Sequence, residues 1–291
     1  PPKLEERTSS IALTSTGGKT RVAFQGESGA FSEIAVSRYF EHIEVEAVPY
    51  RSFREVFASV LDGSCSYGMV PIENSLAGSI HENYDHLLQF PDIQIVGEKK
   101  IRIVHNLIGL PGSKLEDLRK VHSHPQGLAQ CADFLDKYPK MERVPFYDTA
   151  GSVAFVANEK RKEFAAIASE EAARFYGMQI LQAGIETNSR NYTRFFVIAD
   201  QDHAPISDPD MVSLVFSTPD RPGALFICMK ILAEKNINLK KLESRPILGK
   251  PWQYMFYLDL DLPDEVDSFH HAVELLKGEA EDLRILGMYH S

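Results

Sequence analysis

Short apolar runs alternate with helix-spaced segments along most of this chain, and the first of them end in polar, glycine-bearing turns. R-V-A-F-Q (21–25) runs into G-E-S-G (26–29) and then a helical pattern over roughly 30–40. V-E-A-V-P-Y (45–50) reads as a strand and F-R-E-V-F-A-S-V-L (53–61) as a helix. Y-G-M-V-P-I (67–72) is a strand entering E-N-S-L-A-G-S (73–79), and I-H-E-N-Y-D-H-L-L (80–88) is helical. This order makes consecutive strands lie side by side under covering helices, which predicts an α/β unit with a mostly parallel sheet.

A second block continues the rhythm. I-R-I-V-H-N-L-I-G-L (101–110) is β-like, and V-H-S-H (121–124) is a short strand end. The helix predicted over 125–135 has Pro125 at its start, where a missing N–H costs nothing. A further helix over 148–157 has Asp148 as its N-cap. F-A-A-I-A (164–168) is a buried strand, the helix over 170–176 stops before Gly177, and a last strand begins near Tyr192. Two such blocks predict two lobes, approximately 21–99 plus 191–199 and 100–190. Ligands in such folds sit at the carboxyl ends of strands and between lobes. That groups segments 26–32, 73–79, 123–131 and 148–149 around one cleft.

Residues 200–210 are polar, carry two prolines and read as a linker. Beyond them the pattern is strand 211–217, turn 218–223, helix 224–235, strands 237–246 and 252–260, helix 264–277 and strand 283–289. The order βαββαβ is ferredoxin-like. A length of 291 residues suits more than one core. The net charge of −10 argues against sequence-independent nucleic-acid binding, and no run approaches the roughly 20 apolar residues of a membrane span. Cys65, Cys131 and Cys228 lie far apart with no CxxC spacing, which argues against zinc and disulfides and fits a reducing compartment. Residues 1–20 lack a signal-peptide core and read as a disordered tail, with a trimmed targeting segment as the alternative.

Four polar clusters carry candidate chemistry. G-E-S-G-A-F-S-E (26–33) follows a strand and opens a helix, so its N–H groups suit an anion, or else form only a tight turn; it has neither dinucleotide nor P-loop spacing. In P-I-E-N-S-L-A-G-S (71–79), Glu73, Asn74, Ser75 and Ser79 crowd a strand end, and Ser79 with Glu82 spells a capping box. In H-S-H-P-Q-G-L-A-Q-C (122–131), His122 and His124 would share a strand face, but no third ligand adjoins them and no metal is expected. Ser123 and His124 suit hydrogen bonding at the helix start. Gln130 and Cys131 suit packing, and Cys131 lacks an adjacent base for nucleophilic work. Finally, N-S-R-N-Y-T-R-F-F (188–196) sets Arg190, Thr193 and Arg194 where the chain enters a core. Arginine forks suit carboxylates; the alternative is a solvated loop.

Taken together, G-E-S-G-A-F-S, P-I-E-N-S-L-A-G-S-I, S-H-P-Q-G-L-A-Q-C, D-T-A-G-S, N-Y-T-R-F-F, G-A-L-F and E-S-R-P stand in the order seen in a known family. From residue 21 to about 290 the chain resembles the prephenate dehydratases, including the related arogenate dehydratases. The resemblance implies a two-lobed catalytic region shaped like periplasmic binding proteins, followed by an ACT domain over 211–291. It implies loss of CO2 and the ring hydroxyl from prephenate to give phenylpyruvate, with no cofactor and no metal. Arogenate would give phenylalanine directly. By the same resemblance Thr193 is the acid or hydrogen-bond donor, Arg194 its electrostatic partner, and Glu73 a third catalytic residue. Ser28, Asn74, Ser75, Ser123, Gln130, Cys131, Thr149 and Phe195 form the expected substrate set.

The tail motifs imply feedback by L-phenylalanine through Gly223, Ala224, Leu225, Glu243, Ser244, Arg245 and Pro246. They also imply a homodimer or homotetramer. Prephenate and a cytoplasmic location are expected, with a plastid as the alternative. A non-catalytic amino-acid sensor on the same architecture is the competing reading, and the intact Thr193-Arg194-Phe195 argues against it.

Overall fold

A computed structural model describes residues 19–203, 206–247, 249–263 and 266–291. The expected tail, 1–20, lies outside the described residues except for Lys19 and Thr20. The chain divides into two compact units. One holds the described residues up to Phe90 together with Lys99–Val197; the other holds Pro91–Glu98 and Ile198–Ser291.

The first unit opens with β1 (Thr20–Gln25), α1 (Phe31–Tyr39), β2 (Val45–Tyr50), α2 (Phe53–Leu61), β3 (Tyr67–Asn74), β4 (Gly78–Ser79) and α3 (His81–Gln89). β1 pairs in parallel with β2 and β3, and Val22 and Phe24 of β1 and Met69 and Ile72 of β3 are wholly buried. Ser52 caps α2 in a full capping box with Glu55. The box expected at Ser79 is not formed. Ser79 is instead drawn into β4 opposite Glu73, so α3 begins one residue later, at an Ile80 N-cap without a side-chain bond.

The chain then runs through β5 (Ile93–Arg102) and β6 (Asn106–Gly109), so the single β-like run read over 101–110 is two strands separated at 103–105. Next come β7 (Lys120–Ser123), α4 (Pro125–Gln130), α5 (Ala132–Leu135), β8 (Glu142–Pro145), α6 (Thr149–Glu159), β9 (Phe164–Ala168), α7 (Glu170–Phe175), β10 (Gln179–Gln182) and β11 (Tyr192–Asp200). The helix expected over 125–135 breaks at Cys131, which leaves helical geometry at φ −109, ψ 19. The strand order is β2-β1-β3-β11-β5 in one sheet and β10-β6-β9-β7-β8 in the other.

The sheets are mixed rather than mostly parallel. β7 is parallel to β8 and β9, but β6 is antiparallel to β9 and β10. The reason lies in where the chain enters the second sheet. Asn106, the first residue of β6, pairs with Ala168, the last of β9. β6 therefore starts at the end where β9 finishes and can only run the other way.

The second unit holds β12 (Met211–Ser217), α8 (Ala224–Glu234), β13 (Leu239–Pro246), β14 (Tyr254–Asp261), α9 (Val266–Glu279) and β15 (Glu281–Tyr289). The antiparallel sheet order β13-β14-β12-β15 and the βαββαβ sequence give the ferredoxin-like ACT arrangement. Val212, Leu214 and Phe216 alternate toward Cys228, Leu232, Phe269 and Leu276 of the two helices. The first half of β5 belongs to this unit. Arg284 Nη2 donates to Ile93 O at 3.0 Å, and a Cβ on Gly287 would lie 2.0 Å from Ile95 O, so only glycine fits there.

Candidate active site

A cavity of about 490 Å³ in the first unit lies between its two sheets. Helix starts surround it: Ala30 and Phe31 at α1, Ser52 and Phe53 at α2, His124 and Gln126 at α4, Asp148 and Thr149 at α6. The positive ends of helix dipoles gather there, which suits a negatively charged ligand, while side-chain caps take the Glu55, Gln126 and Gly151 N–H groups. Arg51 adds a full positive charge, while Glu82 and Asp148 add carboxylates. Burial pushes the Asp148 carboxyl up, although its bond from the Gly151 N–H opposes this. The two lobes meet beside the cavity, where Ser169 Oγ donates to Gly29 O at 2.5 Å. A Cβ on Gly29 would lie 2.3 Å from Ala172 Cα, and its φ of +86 also demands glycine.

Thr193 and Phe195 project into the cavity from β11, two residues apart and so on one face of the strand. Thr193 Oγ1 receives Asn74 Nδ2 at 3.0 Å. Asn74 Nδ2 also reaches Asn191 Oδ1 at 2.8 Å and Tyr192 O at 3.2 Å, while its Oδ1 accepts Leu76 N and Ala77 N. Asn191 Nδ2 donates to Gln130 Oε1 at 2.9 Å, and His105 Nε2 meets the same oxygen at 2.8 Å. Burial pushes the His105 imidazole below its ordinary value, against the bond to Gln130 and the nearby Glu186 carboxylate.

The structure thus gathers Asn74, Gln130, Thr149, Thr193 and Phe195 at the cavity wall. Other expected residues stand elsewhere. Arg194 and Glu73 alternate onto the opposite face of their strands, where Arg194 Nε lies 3.8 Å from Glu73 Oε2 and its guanidinium lies over Phe196 at 5.0 Å. Ser123 Oγ is wholly buried and donates to Ile167 O at 2.7 Å. Cys131 packs with Leu107, Val121 and Ile167 in the second lobe's core, and burial pushes its thiol up to about 12. Ser28 is half-buried in the turn after β1. Ser75 is a hook: its Oγ donates to Arg190 O at 3.0 Å and receives Tyr192 N at 2.9 Å. Arg190 is exposed.

His122 and His124 do not share a face. His122 is buried among Phe146, Phe155 and Phe164, whereas His124 caps α4 by accepting Gln126 N at 3.2 Å. Among the described residues no group of three His, Cys, Asp or Glu side chains is arranged to hold a metal.

Sequence reasoning assigned no role to Arg51, His105 or Asn191. The isolated position of Arg51 and the lone histidine after β5 carried no spacing signal. Asn191 stood inside a quoted motif, but its amide contacts span long stretches of chain.

In the second unit, Gly223, Ala224 and Leu225 line a cavity of about 390 Å³ with Arg221, Trp252 and Tyr254. Glu243, Ser244, Arg245 and Pro246 lie outside it on the edge strand β13, with Ser244 opposite Phe256 and Pro246 opposite Tyr254.

Residues 22–203 match the family described as prephenate dehydratase. Arogenate dehydratase 2 of Petunia hybrida is 40% identical over 294 residues, covering 96% of this chain and 74% of that protein. Arogenate dehydratase/prephenate dehydratase 2, chloroplastic, of Arabidopsis thaliana is 39% identical over 99% of this chain and 78% of its own. The prephenate dehydratase of Arthrobacter aurescens, solved in complex with L-Phe, is 27% identical with a TM-score of 0.85, covering 94% of this chain and 90% of its own. A structure described as GqqA, a novel type of quorum quenching acylases, is 32% identical with a TM-score of 0.84, covering 92% and 97%.

Proposed function

This chain belongs to the prephenate dehydratase family, carbon–oxygen lyases acting on prephenate or arogenate in phenylalanine biosynthesis, and we propose that it converts prephenate to phenylpyruvate under feedback by phenylalanine. The observation that carries this reading is the Thr193 hydroxyl at the wall of a cleft ringed by helix starts and Arg51. In the reaction the ring carboxylate leaves as CO2. Its bonding pair completes the aromatic ring, and the ring hydroxyl departs with its electron pair as hydroxide, which takes up a proton to become water. Thr193 would donate a hydrogen bond to that departing oxygen, where negative charge grows. Helix N-termini and Arg51 would hold the two carboxylates. Arg194, on the other face of β11, would support the strand through Glu73 rather than touch substrate.

Arogenate is the second reading, favoured by the Glu82 and Asp148 carboxylates, which suit an ammonium group. Acyl transfer, the activity ascribed to GqqA, requires a nucleophile beside a base. Thr193 Oγ1 instead meets an amide, and Cys131 is buried in the core.

We assign the dehydratase to residues 21–199, a linker to 200–210 and the regulatory domain to 211–291. The cavity at Gly223–Leu225 would receive phenylalanine. The position of Glu243–Pro246 on an edge strand supports a site completed by a second copy of the chain, in a dimer or tetramer. We place the enzyme in the cytoplasm, with the chloroplast of the Arabidopsis relative as the alternative. Initial rates with prephenate and arogenate in parallel, with and without phenylalanine, test these readings. A strong preference for arogenate overturns the substrate assignment. Phenylalanine binding without turnover of either compound would favour the sensor.

A further inference from the structure

The amides around Thr193 have a fixed sense that follows from two backbone groups. Leu76 N–H and Ala77 N–H can only donate, so the Asn74 atom they meet is oxygen and its other end is the NH2 group. That NH2 donates to its two nearer acceptors, Asn191 Oδ1 and Thr193 Oγ1, with Tyr192 O sharing a proton at 3.2 Å. Asn191 must then present its own NH2 to Gln130 Oε1, and the imidazole nitrogen that meets the same oxygen, His105 Nε2, must carry a proton. His105 Nδ1 is buried and makes no hydrogen bond, as expected of the unprotonated nitrogen in a neutral ring. With one of its lone pairs engaged by Asn74, Thr193 is free to turn its own proton toward the cavity it lines.

We propose that Asn191 and His105 are positioning residues that extend and brace this hydrogen-bond chain, whose direction the Leu76 and Ala77 N–H groups set, and so keep the Asn74 NH2 on Thr193 while that hydroxyl donates into the cleft. This rests on the dehydratase reading for its consequence and on geometry alone for its polarity. Asn191 is wholly buried and does not line the cavity, so it acts through its neighbours. His105 is held by its backbone N–H to Glu186 Oε2 at 3.0 Å and by the edge of Phe31 at 5.5 Å. A hydroxyl turned to accept rather than donate would meet the departing oxygen lone pair to lone pair.

Two measurements test this. Nitrogen-15 NMR of histidine-labelled protein, with His105→Asn to assign the signal, reads the tautomer directly. A neutral ring protonated at Nε2 is expected, and protonation at Nδ1 alone overturns the chain. Kinetics then read its consequence. Asn191→Ala should lower kcat about 10²-fold or somewhat less in the native background, but less than about twofold in a Thr193→Ala background. Equal losses in both backgrounds would show a merely structural role and refute the proposal. Should Asn191→Ala fail to fold, His105→Leu and His105→Gln provide the second comparison. Glutamine restores an N–H for Gln130 and should recover kcat relative to leucine; no recovery counts against the role of His105. If the wild-type protein turns over neither prephenate nor arogenate, the dehydratase reading fails, while the tautomer still decides the polarity.

Discussion

Replacing Thr193 by valine separates chemistry from stability, because the two side chains have nearly the same shape. Thr193 is 8% exposed, and its Oγ1 accepts one bond, from Asn74 Nδ2. That donor retains Asn191 Oδ1 at 2.8 Å and Tyr192 O at 3.2 Å when the hydroxyl is gone. The stability cost is then that of one ordinary hydrogen bond, about 0.5–1.5 kcal/mol. A positioned proton donor contributes about 10²–10⁴-fold, which is about 2.7–5.4 kcal/mol of barrier at 1.36 kcal/mol per decade. The chemical effect therefore exceeds the structural one. Thr193→Val should melt within a few degrees of wild type yet lose at least about 10²-fold in kcat, and Thr193→Ser should recover much of the rate. Initial rates of prephenate consumption and a thermal melt on the same samples decide it. Retention of rate within about threefold of wild type would refute the assignment of Thr193 as donor.

Arg51→Met removes a cation that lines the cleft and should raise KM for the dicarboxylate about 10-fold or more, with a smaller change in kcat; an unchanged KM would place the carboxylates elsewhere. His122 is buried without a hydrogen bond, 4.9 Å from Phe155 and 5.3 Å from Phe164, and burial holds its imidazole below its ordinary value. Its folded value lies below its unfolded value, so the unfolded chain binds the proton first and stability is lost as pH falls through about 6.5. His122→Phe should flatten that loss between pH 7 and 5 in denaturant titrations, and an unaltered slope would remove His122 from the account. Trp252→Ala opens one wall of the cavity beside Gly223 and should raise the phenylalanine concentration needed for half inhibition, read from inhibition curves.

The elements that apolar spacing announces are the ones buried on the expected face. β1, α2, β9 and β12 each bury a continuous or periodic apolar set, and each stands within a residue or so of the span read for it. β8 and β10 escaped notice because E-R-V-P and Q-I-L-Q are short, polar-flanked strands held by pairing rather than by their own composition. The direction of β6 was illegible for a different reason. It depends on which end of the second sheet the chain enters, a property of the crossover and not of N-L-I-G.

Of the residues that motif resemblance named, Asn74, Gln130, Thr149, Thr193 and Phe195 line the cavity. Strand alternation, applied to Y-T-R-F-F, would already have separated Arg194 from Thr193. His105 and Asn191 stayed hidden because a neutral amide chain has no charge pattern. Its links, from Asn74 to residues 117 and 119 positions away, exist only after folding.

The hook at Ser75 acquires a further meaning from the alternation of β11. A one-residue slip of a strand exchanges its two faces. Here such a slip would put a guanidinium in the cleft and bury the Thr193 hydroxyl beside Glu73. Ser75 opposes it twice with its side chain, at Arg190 O and Tyr192 N, and again with its own N–H to Tyr192 O at 2.8 Å. It acts as a detent for the strand. The exposed side chain of Ser189 can therefore change over evolution or by design without moving Thr193, provided those three bonds still close on residues 190 and 192, whereas Ile185, Glu186 and Thr187 are themselves tied to His105 and Gln130.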